Sequence, residues 1–206
     1  MRKSIGSGLI VMALALSACA PAPMSGSSDG SAPVAATAPA PTAAIYAVRA
    51  VQVRVPDTLR VSEANLFYPL ADIVWRGDPA GNRYTQVKAI FDAAATRATR
   101  PMTKGPRVVA EIDVQRFHCL TEKARYSVGG VHSIEFLLTV RDARTGALID
   151  GPRKVKADLP ASGGNRAIAE DAAGMTQKVL ITDHLERVIR AELSRPASPA
   201  APATGD

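Results

Sequence analysis

Cys19 is the residue whose chemistry the sequence specifies most sharply. It closes the run Leu16-Ser17-Ala18-Cys19, after Arg2, Lys3 and an apolar stretch from Leu9 to Leu16. A basic start, a short apolar core and small residues at the cut are the parts of a secretory signal peptide, which here would occupy residues 1–18. An ordinary signal has no need of a thiol. In a lipoprotein-type signal the thiol accepts a diacylglyceryl group, a peptidase cuts between Ala18 and Cys19, and the new amino terminus is acylated. Residues 1–18 are too short to stay behind as an anchor: a spanning helix wants roughly 20 predominantly apolar residues, and Gly6, Ser7 and Gly8 interrupt this one. One acyl chain holds a protein only marginally, whereas up to three on Cys19 would make attachment permanent. The expected partner at this end of the chain is a membrane, reached through acyl chains on Cys19. Ala20 stands where an Asp would argue for the inner membrane, so the outer membrane, facing the periplasm, is favoured.

No other reactive residues assemble into a motif. His118, His132 and His184 are the neutral-pH base candidates, and none lies three or four residues from another. His118 and Cys119 are adjacent on a strand, which sends their side chains to opposite faces; no metal site and no cofactor are expected. Cys119 reads as a small buried hydrophobe. Asp72 and Asp78 flank Trp75 and Arg76. A carboxylate pair beside an aromatic platform could suit glycosidase chemistry, but Asp78 as a helix cap and Trp75 as a core anchor are the commoner roles. Gly129-Gly130 and Gly163-Gly164 belong to no phosphate-binding pattern, and Ser127, Ser133 and Ser162 have no nucleophile-elbow context. No catalytic residue is nominated, and a non-enzymatic role is expected. Trp75, Arg76 and Asp78 stand as a candidate interaction surface.

The elements that would position these residues lie in one domain, residues 45–194. From Ala20 to Ala44 the chain is Pro, Ala, Ser, Thr and Gly with Asp29 as its single charge, a composition that cannot build a core and reads as a disordered linker. Such a tether spans about 25–30 Å as a flexible coil and about 75 Å if fully polyproline-like. Residues 195–206 have the same composition and read as a disordered tail. Of the 25 Lys and Arg and 19 Asp and Glu, all but Arg2, Lys3, Asp29 and Asp206 fall in or beside the domain, so its surface carries the net +6. The charges are scattered, with Arg153, Lys154 and Lys156 the densest group. A nucleic-acid partner, which would gather them into a stripe with interleaved aromatics, is not expected.

Within the domain, Val51, Val53 and Val55 alternate with polar residues and predict a strand over 46–55. Tyr84, Val87, Ile90, Phe91, Ala94, Ala95 and Ala98 make one stripe of a helix over 81–99, with Asp78 ahead of Pro79 as a possible start. Strands follow over 108–118 and about 134–140, then a hairpin at Asp142–Gly146 into a strand over 148–157. A polar loop through Gly129-Gly130 separates the first two of these. A last helix over 165–193 either bends near Thr182-Asp183 or packs its halves against different parts of the domain. The order β-α-β-β-β-α with one apolar face per strand predicts an α+β two-layer sandwich, an antiparallel or mixed sheet of about four strands with two helices on one face.

With these elements placed, the chain resembles in layout the auxiliary lipoproteins of envelope ABC-type transport systems of Gram-negative bacteria. The residues concerned are Val55-Pro56 with Leu59, Trp75 ahead of the first helix, the strand Ala110–Phe117, and Val140-Arg141-Asp142 with Thr145-Gly146. It resembles more closely an uncharacterised family of proteobacterial lipoproteins, with the stretch Asp72–Pro79 as its best signature. The resemblance covers most of residues 48–193 and implies a non-enzymatic protein partner of a transport complex, with no catalytic residues to carry over. Three readings therefore compete. An adaptor would dock through its free sheet face or last helix and show a solid core with an exposed apolar patch. A binding module for an apolar or anionic ligand would show a cavity lined by Phe91, Phe136 and Met175. A hydrolase would need two or more of Asp72, Asp78, His118, His132 and His184 to converge in a cleft.

Overall fold

The computed structural model describes residues 46–196. Alternation of apolar and polar residues decides the sheet. In β3 (Arg107–His118) Val108, Ala110, Ile112 and Val114 are buried while Val109, Glu111, Asp113 and Gln115 face the other way. β1 (Ala47–Arg54) runs parallel to β3, with Val53 opposite Ile112, and the bulge at Arg49 keeps its valines on the buried side. β2 (Ile73–Val74) pairs parallel with the last residues of β3. β4 (Gly130–Asp142) lies antiparallel on the far side of β3 and pairs in turn with β5 (Leu148–Lys156). Phe136 thereby sits between Val114 and Val155. A three-residue strand, β6 (Leu159–Ala161), pairs with the start of β4. The result is a mixed six-stranded sheet with main order β1-β3-β4-β5, a two-layer α+β domain as the pattern predicts.

Helix α1 (Arg83–Thr99) buries Val87, Ile90, Phe91, Ala94, Ala95 and Ala98, all members of the expected stripe. Its N-cap is Asn82, whose Oδ1 accepts the Thr85 N–H at 3.0 Å. Asp78 is therefore not the helix start; its carboxylate accepts from Trp75 and Lys178 instead. The expected polar loop before β4 contains a short helix, α2 (Glu122–Arg125), capped by Thr121. The last helix is two helices, α3 (Gly164–Ala172) and α4 (Gln177–Leu193). The break falls at Gly174, where φ is +78°, not at Thr182-Asp183. Thr176 then caps α4 through the Val179 N–H. The period of the apolar residues could not show this break, because one glycine suffices to end a helix when a cap follows it.

α1 and α4 cover one face of the sheet. Ile181, Leu185, Ile189 and Leu193 of α4 join the α1 stripe and the inner strand residues in one buried cluster. At its centre an aromatic chain runs Trp75–Phe117–Phe91–Phe136, with ring centroids 5.6, 6.1 and 5.6 Å apart and the first and last pairs edge-on. Phe91 and Phe136 pack on each other in this chain while Met175 is exposed on the α3–α4 turn, so the three residues do not line a common ligand cavity. Truncating Phe136, which lies between two strands and against Phe91, removes a fully buried ring. Phe136→Ala should cost about 3–5 kcal/mol in chemical denaturation; a loss below about 1 kcal/mol would show that the core is not packed this way.

Candidate functional site

The stretch Trp75-Arg76-Gly77-Asp78 leaves β2 and turns toward α1, and the indole is what shapes it. Trp75 is fully buried, which corrects its place in the expected interaction surface: it underlies that surface and does not form it. Its Nε1–H donates to Asp78 Oδ2 at 2.9 Å. The chain folds so tightly over the ring that a Cβ on Gly77 would stand 2.3 Å from Cη2 of the indole.

Arg76 and Asp78 do lie near the surface, in a closed set of ion pairs. Arg76 binds the Glu122 carboxylate and the Glu63 carbonyl, the latter at 2.8 Å. Arg83, almost wholly buried, forks onto both Glu63 oxygens at 2.6 and 2.8 Å and also donates to the carbonyls of Asp78 and Pro79. Lys178 of α4 donates to Asp78 Oδ1 at 2.7 Å. The Arg83 bonds hold the Glu63 carboxyl below the usual range. Burial pushes the Asp78 carboxyl up, but the bonds from Lys178 and Trp75 outweigh it and the net direction is down. Arg76, Arg83 and Lys178 thus satisfy Glu63, Glu122 and Asp78, and all of these but Lys178 line a hollow of about 430 Å³. Groups so engaged are held in fixed orientations, and they tie β2, α1, α2 and α4 together.

Between Glu63 and Asp72 the chain makes an excursion that the sequence pattern did not single out. Leu66, Phe67, Tyr68 and Leu70 are exposed, Leu70 by 87%. The backbone beneath them is pinned: Thr121 Oγ1 donates to the Leu66 carbonyl at 2.7 Å, the Lys123 N–H donates to Asn65 Oδ1 at 2.8 Å, and His118 Nε2 lies 2.8 Å from the Pro69 carbonyl. Tyr68 stacks on the His118 ring, centroids 4.4 Å apart. His118 is therefore a buried prop for this loop. Asp72 closes the loop by accepting from the Arg60 N–H, which lowers its carboxyl.

The other nominated groups are dispersed. Cys119 is buried, and burial pushes its thiol well up. The fold brings buried His132 within electrostatic range of Arg125 and of the half-buried His184 of α4, which their spacing along the chain hid. His132 Nδ1 accepts the Leu120 N–H at 3.3 Å, which leaves the proton on Nε2. Arg125 is held by Asp171. Asp72 and Asp78 belong to the separate clusters described above. Gly129 and Gly163 serve a backbone contact, since a Cβ on Gly163 would meet the Gly129 nitrogen at 2.2 Å. Among the described residues, no group of three or more His, Cys, Asp or Glu could hold a metal ion. Cys19 and Ala18 lie outside the described residues.

The uncovered face of the sheet is the remaining broad surface. Gln52 and Arg54 of β1, Glu111 and Asp113 of β3, Leu137 and Thr139 of β4 and Pro152 of β5 line a shallow groove of about 420 Å³. Ion pairs cross the strands there, Arg141 with Glu111 at 3.0 Å and Lys154 with Glu135 at 2.5 Å. The basic group expected at 153–156 is split by the strand. Lys154 and Lys156 face outward to Glu135, whereas Arg153 turns inward to Asp150 and Glu192 of α4.

A two-layer α+β domain with one face closed by helices, a cluster of ion pairs beside Trp75 and one sheet face open is the class these features define. The chain belongs to a family of unknown function, DUF6778, whose profile matches residues 46–205. No curated protein matches it. Among solved structures it is similar to a Xanthomonas campestris protein of family DUF330, with 12% identity, 74% of this chain and 85% of that one covered, and a TM-score of 0.46. A Caulobacter crescentus CB15 protein described as a lipoprotein shows 14% identity over 57% of this chain and 85% of that one, at a TM-score of 0.33. An uncharacterized protein shows 15% identity over 71% and 93%, at 0.35.

His132 gives the site a pH signature. Burial first, then the charge of Arg125 and the nearness of His184, lower its pKa from 6.5 to about 4. As pH falls through 6.5 the unfolded chain takes up a proton that the folded one refuses, so stability is full above pH 6.5 and drains until about pH 4. The loss should be on the order of 3 kcal/mol, and burial lowers His184 in the same direction. Denaturation curves across this range should show the slope, and His132→Phe should flatten it. An equal slope in the variant would contradict the assignment.

Proposed function

We propose that this chain is a membrane-tethered docking protein of the bacterial envelope, without catalysis of its own, whose open sheet face receives a protein partner. The observation that carries the reading is the asymmetry of the sheet. One face is sealed by α1 and α4 around a filled aromatic core, and the other presents a mixed apolar and polar groove across four strands. Antiparallel and mixed sheets leave one face to solvent or to a partner, and a groove floored by Leu137 and Thr139 between paired charges suits a protein surface. The acidic and imidazole groups that hydrolysis would need are spent on structure: Asp78 on Trp75 and Lys178, Asp72 on Arg60, His118 on the Pro69 carbonyl.

The tether supplies the address. Cys19, acylated after cleavage at Ala18, holds the domain at a bilayer facing the periplasm, the outer membrane by the residue at position 20. No helix among the described residues is long and apolar enough to cross a membrane. The resemblance in layout to transport-system auxiliary lipoproteins supports looking for the partner among the subunits of an envelope transport assembly.

Two measurements test this reading. Cys19→Ser should move the protein from the membrane pellet to the soluble fraction after a high-salt wash, and a variant that stays in the pellet under those conditions would overturn the anchor. A photo-reactive amino acid in place of Gln52, on the open face, should trap one envelope protein in intact cells, while the same group in place of Lys88, on the outer side of α1, should trap none. Equal adducts from both positions, or none from Gln52, would remove the sheet face as the docking surface.

A further inference from the structure

The loop between Glu63 and Asp72 is not used by the docking reading, and its surface chemistry differs from that of the sheet face. Four large apolar side chains stand out of five consecutive positions: Leu66, Phe67, Tyr68 and Leu70. Val128, 76% exposed, lies on the β3–β4 connection at the same end of the sheet. Leu70 and Val128 are the two most exposed large hydrophobic residues of the described chain. Clustered apolar exposure of this kind marks an interaction site.

Charge decides which interaction. The carboxylates around the loop are engaged by arginines behind it: Glu63 by Arg83, Glu122 by Arg76 and Asp72 by Arg60. The cations that touch the exposed rings have neutral partners instead. Arg116 donates to the Tyr68 hydroxyl at 2.8 Å, and the Lys123 ammonium sits 4.7 Å from the centre of the Phe67 ring. Leucine and aromatic side chains with uncommitted Lys and Arg at their base are the chemistry of the bilayer interface, where rings sit at headgroup level and long cationic side chains reach anionic phosphates. Two further features suit lipid. The Leu66 and Pro69 carbonyls, which would lose water on insertion, already have Thr121 and His118 as partners. The loop is also held in shape before it binds, so little conformational entropy remains to be lost.

We infer that the loop Leu66–Leu70 is a second membrane contact, inserting its apolar side chains into a bilayer that carries anionic headgroups while Arg116 and Lys123 meet the phosphates. The chain enters the domain at the opposite end of the sheet, where Ala47 pairs with Arg107. β3, with its 12 residues, is about 40 Å long. A linker of 25 residues can reach about 75 Å, more than this length, so an acyl anchor at Cys19 and the loop can serve the same membrane. The loop would then rest the domain on the bilayer by its own end, with the linker long enough to leave that orientation free. The inference is independent of the partner on the sheet face, and it is tested without acylation so that failure of the anchor does not affect it.

The experiment uses the whole chain with Cys19→Ser, floated with vesicles of phosphatidylethanolamine and phosphatidylglycerol at 3:1 or of phosphatidylcholine alone. The phosphatidylglycerol vesicles should bind at least about tenfold more protein, with the difference falling as salt is raised. In the same background, Phe67→Ser with Leu70→Ser should lower binding at least about tenfold, and Lys123→Glu should lower it selectively on the anionic vesicles. All four side chains of the loop are more than half exposed, so the variants should unfold at the same temperature as the parent, which separates lost binding from lost fold. Binding unchanged by the loop variants, or no binding to either vesicle, would overturn the inference. So would a photo-reactive group at Leu70 that traps a protein and no lipid in intact cells, since the loop would then be a protein-docking surface.

Discussion

The Trp75 indole is the piece on which the arrangement of the domain depends. It lies edge-on to Phe117 of β3, starts the aromatic chain that continues through Phe91 to Phe136, and donates its N–H to Asp78. Asp78 is bonded in turn to Lys178 at the start of α4. One side chain therefore connects the short strand β2 to the core and, through a carboxylate, to the last helix. The backbone at Gly77 passes so close to the ring that a residue with a Cβ would not fit there. Arg83 and Arg76 are then placed to capture Glu63 and Glu122, and those pairs fix both the start of the exposed loop and the start of α2.

That dependence explains why a segment dense in Trp, Arg and Asp is structural. Its polar groups look available in sequence, yet in the folded domain each has a partner and the cluster closes on itself. The surfaces left for other molecules are those whose residues have no such obligations. On the open sheet face the cross-strand pairs Arg141–Glu111 and Lys154–Glu135 are surface pairs of the kind that contribute little to stability. On the loop before β2, apolar side chains sit over cations whose own partners are a hydroxyl and a ring. The two surfaces differ in chemistry and suit different partners, protein for the first and lipid for the second.

Much of the fold was legible because the sheet is buried on one face only. Val108, Ala110, Ile112 and Val114 alternate with charged and polar residues, and the α1 stripe recurs at helical spacing; these patterns follow directly from burial. What escaped was governed by single residues or by long-range meeting. The end of α3 rests on Gly174 and Thr176, and the α1 cap is Asn82 where Asp78 had the more familiar setting before Pro79. His132 of β4 and His184 of α4 come within electrostatic range of each other only through the fold. The loop Leu66–Leu70 was hidden for another reason. Its Leu, Phe and Tyr read as ordinary core material, and only a structure shows them facing outward. Asn65 followed by Leu66-Phe67-Tyr68-Pro69-Leu70 carried a signal of a kind, an apolar run with neither helical nor strand period and a proline within it.

The account as a whole makes the domain a tethered body that rests on a bilayer by one end and keeps its sheet face free. Depth measurement by electron paramagnetic resonance tests this most directly, with spin labels placed singly at Leu70 and at Gln52 of the acylated protein in native membranes. The account predicts that the label at Leu70 is relaxed by oxygen dissolved in the bilayer and shielded from a water-soluble nickel complex, while the label at Gln52 shows the opposite preference. Two labels with equal access to the nickel complex would contradict it.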